Sequence, residues 1–593
     1  MYSDIFTNNF ILNFFISSIF IIFNIIFSYS ISSELNKKKI YLLNEFQPII
    51  IFFLVFTLYL FALNIIIFTN LYDYFRLIFC IVVFLQIIYV LKNTHNLINF
   101  DNLKTKLSIQ KKIILFFLFL FFLISILPIS DADSISVMQN VATVIYQQGL
   151  VNINLNKDIE FTSILGTEML LIISPILNSD NFGTQLNLFV LIFFIICKIK
   201  DNQKFFLIIL SSPLIIYFIS TPKLQLFFGI LYLVLFIIIN QNLIKNKLDL
   251  FITIILLTFY ASGKTSYILL AAPLYFYLFF KNISEWKNIT LYSLISFLII
   301  LLPIFITKQI YFDNFFAPFF DGIIGKNNEL YNGYALSLRS SQGWLMNYLD
   351  YKIYLKPFIP LDINELSISL GFIFILMLSN MKLLKKTKFF PLIIILLILM
   401  TGQILPRYYF EAFLILSFYY NSKNIFFKPI VVLQGCVVLF ISFAYIFIAY
   451  VDSGVLKNKS IYMKRFSHTY YDAQEIKKIN LKGNILDLSQ SRQSIFFNNN
   501  IYSKRNLHAL SYVNKNDKIN LTNFIKKNEI NYLIGDIFGN KSNILPSCLK
   551  LRKIGDSSRK IAVRNFFRKT KKINFLYMKL LIINAEVLEN IKQ

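Results

Sequence analysis

Apolar runs of about twenty residues recur from the start of the chain to residue 450, and a run of that length crosses a bilayer as one helix. The first four are Ile5 to Ile31, Pro48 to Phe68, Tyr74 to Leu91 and Ile113 to Ile129. A soluble core could not absorb this much apolar surface, since 56% of the 593 residues are hydrophobic and 66 are Phe. The expected fold class is therefore an α-helical polytopic membrane protein. Met1-Tyr2-Ser3-Asp4 lacks the basic start and the small-residue cleavage site of a secretory signal, so the first run is expected to remain as a span. The bias toward Ile, Asn, Lys and Phe is that of an AT-rich bacterial genome, which points to a bacterial inner membrane. It also removes any weight from chance triplets such as Asn288-Ile289-Thr290. Cys80, Cys197 and Cys436 lie inside apolar runs and leave Cys548 alone, which supports neither a disulfide framework nor a zinc site.

Lysine placement sets the direction of the spans. Lys37-Lys38-Lys39 follow the first run, and Lys92, Lys104, Lys106, Lys111 and Lys112 follow the third, whereas Asn70 to Asp73 carries no Lys or Arg. With the lysine-rich loops inside, the fourth run ends outside, and Asp131 and Asp133 face the periplasm. Counting Phe161 to Asn178 as a span would put Lys198, Lys200 and Lys204 outside and invert every later loop. That stretch contains Thr162, Ser163, Thr167, Glu168 and Ser174 and is interrupted by Pro175, so it is read as a juxtamembrane helix on the outer surface. The loops at Lys198 to Lys204, Lys245 and Lys247, Lys281 and Lys287, Lys382 to Lys388, and Lys423 and Lys428 then all become cytoplasmic. The resulting count is about fourteen spans.

Three parts follow from this register. Residues 1–112 hold the N-terminal helices and a cytoplasmic loop, and residues 113–451 hold a transmembrane core with outer loops at 130–182 and 307–365. Residues 452–593 read as an extracytoplasmic α/β domain, with strand signals at Asn484 to Leu488, Asn531 to Gly535 and Arg559 to Val563 and a helix signal at Leu521 to Asn528. The basic charge of this tail follows from lysine-rich coding, with contact to anionic lipid as the alternative. No nucleic-acid partner is expected.

The chemistry is expected at Asp131-Ala132-Asp133, where the fourth run leaves the membrane. Acidic groups there are costly and usually have a task. Ser134 to Gln148 carries Val137, Val141, Val144 and Ile145 on one helical face and ends at Gly149, so Asp133 reads equally well as the N-cap of that helix. Asp131 has no such structural use in the sequence. A divalent cation is left open at these two carboxylates alone. His95, His468 and His508 lie far from them in the sequence.

This arrangement resembles the GT-C superfamily of integral-membrane glycosyltransferases, in particular the branch of protein O-mannosyltransferases and aminoarabinose transferases. In those enzymes an acidic motif opens the first extracytoplasmic loop, juxtamembrane helices follow, and a soluble domain often closes the chain. Two further stretches are similar to family features. Leu405-Pro406-Arg407-Tyr408-Tyr409-Phe410 is similar to the Arg-Tyr that opens a late helix, and Ser262-Gly263-Lys264-Thr265-Ser266 to a Lys-containing turn between two spans. Where bacterial relatives often carry a Tyr-His pair, this chain has Val137-Met138. The resemblance implies transfer of a sugar from a polyprenyl-phosphate donor to a lipid, glycan or protein acceptor, among membrane lipids.

Such a reaction needs a base for the acceptor hydroxyl and cations for the lipid phosphate. Asp131 and Asp133 are the candidate catalytic residues, with Asp131 as base, since a semi-apolar interface favours a carboxylate as proton acceptor. Lys223, Lys264, Arg407 and Tyr408 are the candidates for the donor phosphate, against the plainer reading that each lysine snorkels to the head groups. Glu168 is the candidate for the acceptor, against a Glu turned to the surface of its helix. A polysaccharide polymerase or ligase would instead rely on Lys308, Lys326, Arg339, Lys352 and Lys356 of the second outer loop. A transporter would show broken helices and charges near mid-bilayer.

Overall fold

A computed structural model describes the chain between residues 6 and 583, apart from 93–107, 132–133, 320–328, 342–367, 380–388, 489–499, 536–548, 562–570 and several shorter stretches. The protein is an α-helical, multi-pass membrane protein. Among the described residues, five helices are long and apolar enough to cross a bilayer: Phe10–Lys37, Gln47–Phe68, Tyr72–Lys92, Ile283–Phe312 and Phe427–Asp452. Every run expected to span contains a helix, yet most of the others are too short to cross alone.

In chain order, α1 (Phe10–Lys37), α2 (Gln47–Phe68), α3 (Phe75–Lys92) and α4 (Ile109–Ser125) precede the loop at 130–182. That loop holds α5 (Asn140–Gln148), α6 (Gly166–Leu170) and α7 (Ile173–Ile176). The middle of the chain forms α8 (Phe182–Lys198), α9 (Gln203–Leu210), α10 (Pro213–Ser220), α11 (Gln225–Asn240), α12 (Lys247–Ser262) and α13 (Thr265–Lys281). After these come α14 (Trp286–Ser296), α15 (Leu302–Phe312), α16 (Glu329–Ser341), α17 (Phe372–Ser379), α18 (Phe389–Met400), α19 (Phe410–Tyr419) and α20 (Phe427–Ile446).

Burial explains the shortness of α11. α11 has 16 residues, about 24 Å at the usual rise per residue, and its apolar side chains from Leu226 to Ile239 are all 0–1% exposed. A helix apolar all round and enclosed on every side is a core helix, so its length answers to its protein neighbours and not to the bilayer. The apolar run Phe205 to Ser220 breaks into α9 and α10 with a 74° bend. Pro213 begins α10 and cannot continue the hydrogen-bond ladder of α9.

Where lipid replaces water, helices are joined by polar contacts as well as packing. On α1, Asn13 Nδ2 donates to Asp180 Oδ1 at 3.1 Å, Ser17 meets Ser179 at 2.6 Å, and Ser18 meets Gln185 at 3.3 Å. The opposite character appears on α3, where Leu77, Ile81, Phe84, Leu85 and Leu91 remain exposed as a lipid-facing side.

Past the last long helix lie α21 (Lys459–Phe466) and α22 (Tyr470–Ile479), then a five-stranded mixed sheet ordered β2-β1-β3-β5-β4. Its strands are β1 (Asn484–Asp487), β2 (Ile501–Ser503), β3 (Ile530–Gly535), β4 (Leu549–Ile561) and β5 (Lys571–Ile583), with α23 (Lys504–Val513) and α24 (Asp517–Lys527) between β2 and β3. β1 pairs parallel with β2 and β3, and β5 pairs antiparallel with β3 and β4.

The loop at 130–182 departs from expectation. Phe161 to Asn178 forms no continuous surface helix. It is a 3-10 turn at Ile159–Ser163 followed by α6 and α7, and Phe161, Thr162, Thr167 and Leu170 are fully buried. Leu165 is extended and starts a new helix, and the segment packs into the protein against α2 and the Ser262-Gly263 turn.

Candidate active site

Asp131 lies at the exit of α4, with its side chain 29% exposed. One carboxylate oxygen, Oδ2, accepts from Ser134 N at 3.0 Å and from Ser134 Oγ at 2.6 Å. Asp131 is thus the residue that caps the helical segment opening with a π turn at Ser134–Gln139 and continuing as α5. This gives Asp131 a structural use that the sequence did not show. Asp133 lies outside the described residues, as do His95, His468, Lys326, Lys352 and Lys356.

Lys223 approaches the same oxygen, with Nζ 3.7 Å from Asp131 Oδ2. The lysine is 5% exposed, so it does not snorkel. Its ammonium donates to the Tyr217 hydroxyl at 2.8 Å, and Arg407 Nη1 donates to that same hydroxyl at 2.8 Å. Two cations meeting on one phenol oxygen form an electropositive pair beside a carboxylate. The Arg407 guanidinium also lies 5.3 Å from the Tyr408 ring centre, within cation–π range.

The turn that presents Lys223 is held from behind. Asn187 on α8 donates to the carbonyls of Phe218 and Lys223 at 3.0 and 2.7 Å, and its own oxygen accepts from Phe227 N at 3.1 Å. Gly183 makes this docking feasible, because a Cβ there would lie 2.6 Å from the Pro222 carbonyl oxygen.

Lys264 precedes α13 and is half-buried. Removal from water, reinforced by the charge of Arg407, holds its ammonium down to about 7, against the opposing pull of Glu168. Glu168 comes close because α6 docks on the turn before Lys264: Thr167 N and Oγ1 both donate to the Gly263 carbonyl, at 3.2 and 2.7 Å. Here again the glycine allows contact, since a Cβ on Gly166 would lie 2.8 Å from Ser262 Oγ.

Glu168 is 6% exposed and accepts from Leu165 N at 3.0 Å, which corrects its reading as a surface-facing side chain. Burial pushes its carboxyl up from the usual range, while Lys264 and Lys308 pull the other way. Lys308, a polymerase candidate, is spent on structure: its ammonium donates to the carbonyls of Thr162 and Ala317 at 2.9 and 2.8 Å.

Asp131, Lys223, Arg407, Tyr408, Lys264 and Glu168 therefore meet around one region, although they span residues 131 to 408. Tyr217 and Glu411, neither singled out in the sequence, join them. Tyr217 sits in an apolar run like any lipid-facing tyrosine and left no signal. Glu411 did leave one, as an acid inside an apolar run four residues after Arg407. Among the described residues, no three His, Cys, Asp or Glu side chains come together as a metal site would need.

No protein-family model, no curated protein and no solved structure matches this chain.

Proposed function

We propose that this protein is a membrane glycosyltransferase that moves a sugar from a polyprenyl-phosphate donor to a lipid, glycan or protein acceptor on the extracytoplasmic face of a bacterial inner membrane. The supporting observation is the convergence of a partly exposed carboxylate with two cations on one hydroxyl: Asp131 with Lys223 at 3.7 Å, and Lys223 and Arg407 each 2.8 Å from Tyr217.

In this reading Asp131 takes the proton of the acceptor hydroxyl as its oxygen attacks the anomeric carbon. The bond from that carbon to the phosphate oxygen breaks, and the leaving polyprenyl phosphate is stabilised by Lys223, Lys264 and Arg407 through charge-assisted bonds. The planar fork of Arg407 suits two phosphate oxygens at once. Reconstitution in vesicles with polyprenyl-phosphate sugars tests the reading. Asp131→Asn is expected to lower turnover by about 10²-fold or more, and equal turnover of both proteins removes Asp131 from the base role.

One observation favours a transporter as the second reading. The broken pair α9 and α10 resembles the interrupted helices of transporters. Its test is movement of a polyprenyl-phosphate lipid across the vesicle without sugar transfer.

A further inference from the structure

Lys264 faces charged and titratable groups from several elements. They are Glu168 on α6, Lys223 on the turn before α11, Arg407 before α19, Glu411 on α19 and Tyr267 on α13, and Tyr267 in turn faces Tyr408 and Tyr260 on α12. The cations among them repel its ammonium. Of the two carboxylates, Glu168 is committed to the Leu165 amide and is also drawn on by Lys308.

Glu411 is placed differently. It is 3% exposed, its Oε1 accepts from the Tyr260 hydroxyl at 3.1 Å, and its Oε2 has no hydrogen-bond partner among the described residues. The Tyr260 ring stacks on that of Tyr267, with centres 4.8 Å apart and planes 23° apart, and the Tyr267 hydroxyl is likewise buried without a partner among the described residues. Tyr267 in turn lies 5.9 Å under the Lys264 ammonium. A buried carboxylate left half-satisfied is costly, and a nearby cation offsets that cost. Glu411 also rides on the same stretch as Arg407, one helical turn later, so the chain that presents the guanidinium carries the countercharge for its neighbour.

We propose that Glu411 is a positioning residue: its carboxylate, anchored by Tyr260, holds the Lys264 ammonium in the cation cluster against the repulsion of Arg407 and Lys223. The role is defined within the glycosyltransferase reading, but its test needs no transfer. Lys264 is half-buried, so an amine-acylating reagent can report the pH at which it becomes reactive, measured by mass spectrometry on the full chain in detergent. Glu411→Gln keeps the shape and removes the charge. The midpoint is expected to fall by about half a pH unit or more in this variant, with Glu411→Asp lying between it and the wild type. An unchanged midpoint in both variants overturns the proposal. So does a fall seen in Glu168→Gln and absent from Glu411→Gln, which would assign Lys264 to Glu168 alone. If the midpoint shifts as expected while no polyprenyl-phosphate sugar is turned over, the fault lies in the proposed function and not in the pairing.

Discussion

Asp131 has an observed structural role and a proposed catalytic one, and substitutions can separate them. As a cap it accepts from both donors of Ser134, and Asn can also accept there, whereas Ala cannot. Asp131→Ala is expected to cost about 1 kcal/mol of stability together with activity, while Asp131→Asn loses activity alone. Thermal denaturation in detergent beside turnover checks this, and equal destabilisation by both substitutions would remove the cap. Lys264 gives a prediction in pH. Its folded value of about 7 lies below the ordinary 10.5, so between those values the unfolded chain binds the extra proton and this residue's contribution to stability grows as pH rises. Donor affinity should move the opposite way, weakening as the ammonium is lost above about pH 7. Lys264→Met is expected to flatten both profiles, and a donor affinity that stays constant from pH 6 to 9 in the wild type would detach Lys264 from the phosphate. Arg407, Lys264 and Lys223 were legible in the sequence because each is a charge at the end of an apolar run. Tyr217 was not, because hydropathy does not distinguish a phenol facing lipid from one bridging two cations.

At the scale of elements, the site depends on two turns pressed against backbone where only glycine fits. A Cβ on Gly183 would lie 2.6 Å from the carbonyl oxygen and 2.8 Å from the Cα of Pro222, next to Lys223. Gly183→Ala must therefore push the Lys223 turn outward, at a cost of about 1–3 kcal/mol and with a rise in donor KM. Gly435→Ala is the control, since its nearest neighbour, Phe117, would stand 3.6 Å from the new methyl. Equal melting temperatures and equal donor KM for the two variants would show that the Gly183 contact does not position Lys223. The same scale shows where sequence reading stopped short. Hydropathy reports that a segment avoids water, which located a helix in every apolar run, but it does not report whether lipid or protein takes the place of water. The short buried α11 and the bent α9–α10 pair are outcomes of that second choice, decided by neighbours distant in the chain.

At the scale of the whole molecule, the loop arithmetic predicts that Asp131 and Lys198 lie on opposite sides of the membrane. Single cysteines at 131 and 198, in a chain otherwise freed of Cys80, Cys197, Cys436 and Cys548, should label from opposite faces of sealed vesicles. Labelling from one face would invert the core. Segments far apart in the chain are joined across this architecture by a buried ion pair that no local pattern announced: Lys459 on α21 donates to Asp180 Oδ2 at 2.8 Å, with side-chain exposures of 6% and 0%. Asp180 also accepts from Asn13 on α1, and its carbonyl accepts from Gln139 just before α5. One residue short of Asp131, Ser130 meets Tyr462 of the same α21 at 3.4 Å. The pair therefore seats the segment after the last long helix directly beside the proposed base. Lys459→Met leaves a carboxylate buried without its cation and is expected to cost about 3–5 kcal/mol, whereas Lys459→Met with Asp180→Asn should recover most of that, because removing both charges of a buried pair is often close to neutral. The amide oxygen introduced by Asp180→Asn can still accept from Asn13, so the contact with α1 is preserved in the double variant. If the double variant melts near the wild type yet turns over slowly, α21 is needed to hold Asp131 in place. If it matches the wild type in both, packing of Tyr462 on Ser130 suffices without the charges. Equal melting of Lys459→Met and the wild type would mean that the pair is solvated, and would undo the link between α21 and the Asp180 loop.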